Sequence, residues 1–310
     1  RALGVEVQRE PGNDGMGDSL HITGVGLEGL REPSDILDAG NSGTTTRLMS
    51  GILAGREMVA ILTGDDSLKT RPMGRVIKPL TAMGALITGR SKNTLAPLVF
   101  HGGEIRGSTY TMPVASAQLK SSLLLAGLRA NGVTKLKQPA ESRDHTERMF
   151  SAMGVTINKS GLDIEIEPCE LNTIDVQVPG DISSAAFWMV AGVCHPDSEL
   201  LIKNVGINPT RSGIITALKM MDADIAVIDE RDVAGEPVAD LMVKSSNLKG
   251  IELNGDIVPL LIDEIPVIAV AAAIAQGETV IKDAEELRVK ESDRIQASVN
   301  WLRGAGVNVE

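Results

Sequence analysis

Aromatic residues, cysteines and long apolar runs are scarce in this sequence. Three Phe, two Trp and one Tyr occur among 310 residues, so the core must be built from Ala, Val, Ile, Leu and Met. The two cysteines, Cys169 and Cys194, match neither a zinc motif nor a disulfide framework. The longest apolar run, residues 265–275, is far shorter than the ~20 residues of a membrane-spanning helix. We therefore expect a protein of a reducing compartment that has no membrane partner.

Basic patches and metal-ligand spacings are also missing. The chain carries 30 Lys and Arg against 41 Asp and Glu, which gives a net charge of −11. A nucleic-acid-binding protein needs a basic stripe, often with stacking aromatics, and neither pattern is found. The four histidines show no metal-ligand spacing, and no apolar signal segment opens the chain. These features predict a cytoplasmic globular protein that binds neither nucleic acid nor metal.

The sequence does contain a repeated pattern: the end of an amphipathic helix, a Gly or Asp, and then a stretch rich in residues that favour β-strands. Glycine suits this place because the residue that follows a helix often has a positive φ. The repetition predicts a fold built from one recurring unit. The five copies align at Gly4, Gly84, Gly154, Asp222 and Gly306.

Each unit contains two helices of different character. A helix of small residues comes first, and an amphipathic helix with an arginine near its start follows. Strand-like stretches around them give the order β-α-β-α-β-β. The first helices are expected to begin near Gly43, Ser116, Ser183 and Glu264, and the second helices near Arg71, Arg143, Arg211 and Arg294.

The repeat predicts an α/β (α+β) protein with two domains, residues 1–179 and 180–310, joined by a hinge at 178–181. A solenoid is the alternative, but long units with variable insertions favour compact α/β domains. The chain opens on the tail of one unit and stops on the tail of another. We interpret this as a fragment that lacks both termini, the alternative being a natural N-terminus.

The arginines at the starts of the second helices need an explanation. A helix N-terminus carries partial positive charge and favours acidic residues there. An anionic ligand or a buried carboxylate would account for the arginines, because the guanidinium fork matches phosphate and carboxylate groups. Structural ion pairs are the alternative.

Small polar side chains and acids mark other helix starts. Residues 41–44 and 116–118 bring hydroxyl and amide groups to helix N-termini, which form either anion sites or simple caps. Asp263 and Glu264 precede another helix, and Glu291 lies three residues before Arg294. Among cations, these carboxylates serve general acid/base catalysis or cap their helices.

Three motifs, at 37–47, 69–74 and 288–294, together resemble one family, and the likeness runs over the whole chain. They read LDAGNSGTTTR, KTRPMG and RVKESDR, and the family is 5-enolpyruvylshikimate-3-phosphate synthase. VASAQLK at 114–120 and SRDHTE at 142–147 resemble its bacterial Ser-Ala-Gln branch. The resemblance implies a two-domain enolpyruvyltransferase-like fold with pseudo-threefold symmetry in each domain and a ligand cleft between the domains.

The resemblance also implies an activity without a cofactor, in a protein that acts as a monomer. The enolpyruvyl group of phosphoenolpyruvate is transferred to the 5-hydroxyl of shikimate 3-phosphate, in chorismate and aromatic amino-acid biosynthesis. Asp263 is implied to act on the hydroxyl and Glu291 to exchange a proton at the methylene. Shikimate 3-phosphate is implied to contact Ser116, Ala117, Gln118, Arg143, Asp263 and Lys290, and phosphoenolpyruvate to contact Asn41, Gly43, Thr44, Arg71, Gln118 and Arg294.

Two alternatives stay open at this level. UDP-N-acetylglucosamine enolpyruvyltransferase resembles the same fold and chemistry but typically uses a loop cysteine as its acid, and Cys169 and Cys194 fall outside the matching loop. A non-catalytic remnant is the second alternative, because the family's substrate-binding segments extend beyond both ends of this sequence.

Overall fold

Two compact units make up the structure, a computed structural model that describes residues 1–12, 18–26 and 28–310. Unit 1 comprises residues 1–141 and 153–172, and unit 2 comprises residues 142–152 and 173–310. Residues 142–152 thus pack with unit 2, although they lie within the first of the two domains expected from the sequence. The domain boundary expected between residues 179 and 180 stays a prediction.

Unit 1 contains two four-stranded sheets that share one topology. In each sheet the first two strands are parallel, and the other two are added antiparallel. A two-stranded antiparallel hairpin, β1 (Glu6–Glu10) and β2 (Ser19–Thr23), precedes them. In sheet order the strands are β3 (Leu37–Asp38), β4 (Ala60–Thr63), β6 (Leu95–Phe100) and β5 (Ile87–Gly89), then β7 (Thr109–Thr111), β8 (Thr134–Lys137), β10 (Asp163–Ile166) and β9 (Ile157–Ser160).

The helices of unit 1 lie between these strands in the chain. They are α1 (Gly43–Leu53), α2 (Gly74–Ala82), the short α3 (Arg90–Asn93) and α4 (Ala117–Gly127). Helices α1 and α4 pack closely at Gly51 of α1, because glycine has no side chain to keep the two backbones apart. A β-carbon there would come within 2.1 Å of the Ser122 carbonyl oxygen.

Unit 2 contains a third copy of this plan and the first four elements of a fourth. Its larger sheet is antiparallel, and its shorter sheet is a parallel pair. The strands are β11 (Glu199–Gly206), β13 (Glu236–Lys244) and β12 (Asp224–Val233) in sheet order, with β14 (Glu252–Leu253) beside β15 (Val280–Ile281). The helices are α5 (His145–Ala152), α6 (Ile182–Cys194), α7 (Gly213–Met220), α8 (Ile265–Ile274) and α9 (Arg294–Gly304).

The recurring unit expected from the sequence is confirmed. Apart from the short α3, the chain runs β3-α1-β4-α2-β5-β6 and then β7-α4-β8-α5-β9-β10. In the third copy, a single parallel bridge between Gly180 and Val205 replaces the first strand. The predicted α/β class with units of β-α-β-α-β-β is therefore correct.

Four of the helix starts are fixed by side-chain caps. Ser42, Ser116, Asp181 and Asp293 each accept a hydrogen bond from a backbone N–H of the first turn of α1, α4, α6 and α9. Such caps satisfy donors that have no partner inside the helix. The capping alternative is thus confirmed at Ser42 and Ser116.

The helix ends also follow the repeat. The five aligned positions all have positive φ, from +65° at Asp222 to +110° at Gly84. Glycine adopts this conformation without the steric cost that a β-carbon brings. The prediction of left-handed helix termini is confirmed.

The core of unit 2 is built from small and aliphatic side chains, as the shortage of aromatics requires. Helices α6 and α8 pack together and are apolar on most faces. Met189 and Met221 are fully buried among them and fill core space. Among the described residues, no helix is long and apolar enough to cross a membrane.

Candidate active-site residues

Asn41 and Arg71 meet at the start of α1. The Arg71 guanidinium donates through Nη2 to the Asn41 amide oxygen at 2.6 Å, and the Asn41 amide donates to Asp65 Oδ2 at 2.7 Å. The backbone N–H of Leu68 and the amide of Asn41 lower the pKa of Asp65. Because Asp65 is ionised and fixed, Asn41 has one orientation and presents its oxygen to Arg71.

Gln118 links the start of α4 to the start of α1. Its amide nitrogen donates to Thr44 Oγ1 at 2.7 Å, and its amide oxygen accepts from Arg47 Nη1. The neighbouring Ser116 hydroxyl caps α4 by accepting from the Leu119 N–H at 3.4 Å. The Gln118 amide is therefore oriented by one donor and one acceptor.

Arg47 is the member of this group that the site prediction left out. Burial lowers the pKa of Arg47, and the like charges of Arg75 and Arg71 lower it further. These positive charges lie close enough together to repel and create a field that favours an anion. Arg47 is the last residue of the motif at 37–47, and its place in that motif is the sequence feature that indicates a role in the site.

Gly43 leaves the space in front of these guanidinium groups open. A β-carbon at Gly43 would lie 3.1 Å from Arg47 Nη1 and 3.5 Å from Arg71 Nη1. Gly43 is also the first residue of α1, where backbone N–H groups favour anions. We call the set that the structure brings together here the unit 1 cluster: Asn41, Gly43, Thr44, Arg47, Arg71 and Gln118.

In unit 2, Asp263 is surrounded by cations. Arg143 Nη2 donates to Asp263 Oδ2 at 2.6 Å, and Arg294 Nη1 donates to Oδ1 at 3.0 Å. The Lys290 ammonium lies 3.7 Å from Oδ1. Asp263 lies two residues before α8, Arg294 is the first residue of α9, and Lys290 lies four residues before α9. One carboxylate thus joins two helix starts.

Glu291 makes a bidentate ion pair with Arg294. Arg294 Nε and Nη2 donate to the two carboxylate oxygens of Glu291 at 2.9 Å and 3.0 Å. The Glu291 side chain is half exposed, whereas that of Asp263 is 26% exposed. The same arginine therefore holds a sheltered carboxylate on one side and a solvent-facing one on the other.

Burial and charge act on Asp263 in opposite directions. Burial favours the neutral acid, but the hydrogen bond and charge of Arg143, with the charges of Lys290 and Arg294, lower the pKa of Asp263 below its ordinary value. Asp263 is therefore ionised at neutral pH. We call Arg143, Asp263, Lys290, Glu291 and Arg294 the unit 2 cluster.

The site residues expected from the sequence divide between these two clusters. Within unit 1 the structure brings five of them together, with Ser116 and Ala117 at the adjacent start of α4. Within unit 2 it brings together the other five. In the described ranges of the chain, no three His, Cys, Asp or Glu side chains form a group that could hold a metal ion.

Comparison with known proteins gives one consistent result. The family model for EPSP synthase (3-phosphoshikimate 1-carboxyvinyltransferase) matches residues 1–310. The 3-phosphoshikimate 1-carboxyvinyltransferases of Synechococcus elongatus and Geotalea uraniireducens are 54% and 53% identical. The alignments cover 100% of this chain and 69% and 71% of those proteins.

The structural comparison agrees with the sequence comparison. A solved structure of EPSP synthase from Acinetobacter baumannii superposes with a TM-score of 0.87 at 46% identity, covering 97% of this chain and 67% of that chain. A second structure from the same organism gives a TM-score of 0.87 at 44% identity, covering 99% and 68%. The enolpyruvyltransferase-like fold expected from the sequence is confirmed.

Proposed function

The chain belongs to the EPSP synthase family, and we infer from this that it transfers the enolpyruvyl group of phosphoenolpyruvate to the 5-hydroxyl of shikimate 3-phosphate. A bond forms between the hydroxyl oxygen and C2 of phosphoenolpyruvate, and the bond from C2 to the phosphate oxygen breaks. Inorganic phosphate leaves. The product belongs to the shikimate pathway, which leads to chorismate and the aromatic amino acids.

One observation carries the assignment of residues: a sheltered, ionised carboxylate surrounded by three cations. Asp263 is held by Arg143 and Arg294 and approached by Lys290. A proton acceptor must be ionised at working pH, and these cations keep Asp263 in that form. The same cations attract substrates whose phosphate and carboxylate groups are negatively charged.

For shikimate 3-phosphate, we propose contacts from hydroxyl, amide and cationic groups. Arg143 and Lys290 supply positive charge for the phosphate. Asp263 accepts a hydrogen bond from the 5-hydroxyl and then its proton. The remaining contacts are assigned to Ser116, Ala117 and Gln118 at the start of α4.

For phosphoenolpyruvate, we propose binding to the open face of the unit 1 cluster. The fork of Arg71 matches a carboxylate or phosphate, and its orientation is fixed by Asn41. Gly43 admits the ligand to the first backbone N–H groups of α1. Thr44 and Gln118 supply further polar contacts, and Arg294 supplies a second guanidinium.

We propose that the reaction runs by addition and then elimination. Asp263 takes the hydroxyl proton as the oxygen attacks, and Glu291, in its protonated form once Arg294 turns to phosphoenolpyruvate, delivers a proton to the methylene carbon. Elimination returns that proton to Glu291, and the proton held by Asp263 passes to the departing phosphate. The arginines neutralise charges that would otherwise repel and hold the reacting atoms close together. This scheme uses no metal and no cofactor, and we include in the proposal that the protein acts as a monomer in the cytoplasm.

The test is release of phosphate from phosphoenolpyruvate. The chain is offered shikimate 3-phosphate or UDP-N-acetylglucosamine, alongside a version extended to the length of its relatives. Release with shikimate 3-phosphate alone is expected. Release with the UDP sugar alone would assign the other enolpyruvyltransferase reaction, and no release from either version would favour a non-catalytic remnant.

Two aspartate variants test the role of Asp263. Asp263→Asn removes the proton acceptor, and we expect kcat to fall by about 10²–10⁴-fold. Asp222→Asn is the matched control, because Asp222 lies at a helix end where φ is positive and pairs with Lys249 on the surface. Asparagine tolerates that backbone, so the control should keep wild-type turnover. A D263N variant with wild-type kcat would remove Asp263 from the mechanism.

A further inference from the structure

Glu264 is a buried carboxyl directly after Asp263. Only 2% of the residue is exposed, and its carbonyl oxygen accepts from the N–H groups of Val267 and Ile268 at 3.0 Å each, at the start of α8. Burial raises the pKa of Glu264, and the charge of Asp263 also raises it. Charged residues are seldom buried to this extent without a partner, so the contacts of this side chain matter.

A chain of hydrogen bonds leads from Glu264 to two other helix starts. The Ser183 hydroxyl donates to Glu264 Oε1 and accepts from Arg211 Nη2 at 2.8 Å. Arg211 Nη2 also donates to Asp181 Oδ1 at 2.7 Å. Asp181 is the cap of α6, and Arg211 lies just before α7. The starts of α6, α7 and α8 are thus tied together at one point.

The hydrogen-bond chain from Glu264 through Ser183 to Arg211 is not the arrangement that stability alone would favour. Among the described residues, Glu264 Oε2 and Arg211 Nε are buried and have no hydrogen-bond partner. Buried polar atoms without partners are destabilising, and an apolar side chain would avoid that loss. Stability therefore does not account for a glutamate at this position.

We propose that Glu264 is a positioning residue that fixes Asp263 through its hydrogen bond to Ser183. The proposal rests on the proposed function, in which Asp263 takes the proton from the substrate hydroxyl. Asp263 must meet Arg143, Lys290 and Arg294 at once, and small displacements of a reacting group cost much of the rate. Because Glu264 directly follows Asp263, holding Glu264 in place limits the movement of the Asp263 carboxylate.

The charged groups around the two acids set the expected pH response. Asp263 faces Arg143, which precedes α5, and Lys290 and Arg294 of the α9 start. Glu264 is influenced by Asp263, Arg143 and Arg211. If the anchor is lost, Asp263 moves from its cations and its pKa rises towards the ordinary value. The acid limb of the kcat profile then moves to higher pH, because protonated Asp263 accepts no proton.

Four variants test the link. Ser183→Ala removes the hydroxyl with little change in volume, and Glu264→Ala removes the carboxyl. Glu264→Gln keeps an oxygen that accepts from Ser183. Ser184→Ala is the matched control, because the Ser184 hydroxyl is exposed and donates to Asp181 instead of Glu264.

Kinetics on the version extended to the relatives' length give the first readout. For S183A and E264A we expect kcat to fall by up to about 10²-fold, the cost of displacing a reacting group by about 1 Å. KM for shikimate 3-phosphate should change little, and the acid limb should move to higher pH. E264Q and S184A should match the wild type. Wild-type kcat and pH profile in folded S183A would overturn the proposal, and so would an E264Q variant as impaired as E264A while S183A stays normal.

A second readout needs no turnover. The pKa of Asp263 is followed by carbon NMR of protein labelled at the aspartate carboxyl, with its signal assigned by its absence in D263N. We expect this pKa to rise in S183A and E264A and to stay unchanged in E264Q and S184A. An unchanged pKa in folded S183A would overturn the positioning role even if the proposed reaction is correct. A shifted pKa without phosphate release by the wild type would contradict the proposed function alone.

Discussion

Arg143 donates a hydrogen bond to Asp263 at 2.6 Å, although 120 residues separate them in the chain. Three other arginines reach back only 30, 30 and 31 residues, to Asn41, Asp181 and Asp263. In those three, the arginine near the start of a second helix contacts a residue one or two positions before a first helix of the same repeat. Arg143 departs from this rule and joins Arg294 on one carboxylate. The repeat thus explains why Arg294 contacts Asp263. The contact from Arg143, which comes from a different repeat, gives Asp263 its second guanidinium partner.

Removing Arg143 should change both substrate binding and the pH dependence of turnover. Arg143→Ala removes the strongest partner of Asp263 and a proposed phosphate ligand. We expect KM for shikimate 3-phosphate to rise about tenfold or more, and the acid limb of kcat to move to higher pH because the pKa of Asp263 rises. Arg231→Ala is the control, since Arg231 pairs with Asp229 and Asp240 on the larger sheet of the same unit. An unchanged acid limb in R143A would contradict the role of this ion pair.

Gly43 offers a test of the phosphoenolpyruvate assignment. Gly43→Ala places a methyl group 3.1 Å from Arg47 Nη1, so that guanidinium group must shift, and in van der Waals contact with Arg71 Nη1 at 3.5 Å, where it fills the open space. We expect KM for phosphoenolpyruvate to rise about tenfold while KM for shikimate 3-phosphate changes little. Gly74→Ala is a matched control at the first position of α2, where the methyl group meets only Thr94 at 3.6 Å. Equal increases in both KM values would count against the assignment.

Much of the fold could be read from the sequence because the repeat carries local signals. The helix ends at Gly84 and Asp222 could be located, since a left-handed residue after an amphipathic helix leaves a clear pattern. The start of α4 could be located from Ser116, a strong cap former. The grouping of α5 with unit 2 had no such signal, because it depends on long-range packing against β13.

The candidate site was predictable in its residue types but not in its pairings. Four arginines at unfavourable helix positions predicted an anionic ligand or carboxylate partners, and the structure shows carboxylate partners: Arg294 binds Asp263 and Glu291. Sequence spacing did not reveal that Arg143 reaches Asp263, because that contact joins different repeats. Nor did it reveal Arg47, since an arginine inside a small-residue helix also reads as an ordinary surface residue.

Close packing between α1 and α4 gives a prediction about stability. Gly51→Ala places a β-carbon 2.1 Å from the Ser122 carbonyl oxygen, so the helices must separate. We expect a loss of about 1–3 kcal/mol in the free energy of unfolding. Gly304→Ala is the control, because a β-carbon at this α9 residue has no atom within 4 Å and alanine favours a helix over glycine. Denaturant unfolding followed by circular dichroism measures both, and equal stability of the two variants would contradict the packing.

The two thiols should differ in their reaction with alkylating reagents. Cys194 is the last residue of α6, and burial raises the pKa of its thiol to about 11. Because the thiolate is the nucleophile, only about one Cys194 in a thousand is reactive at pH 8. In Cys169→Ser, alkylation by iodoacetamide should therefore be slow at pH 8 and accelerate about tenfold for each pH unit up to 10.

Mass spectrometry measures the rate while circular dichroism confirms that the protein stays folded. Cys194→Ser, which keeps Cys169, provides the comparison under the same conditions. A rate for Cys194 that levels off between pH 9 and 10 would show an ordinary thiol and would contradict the effect of burial on its pKa.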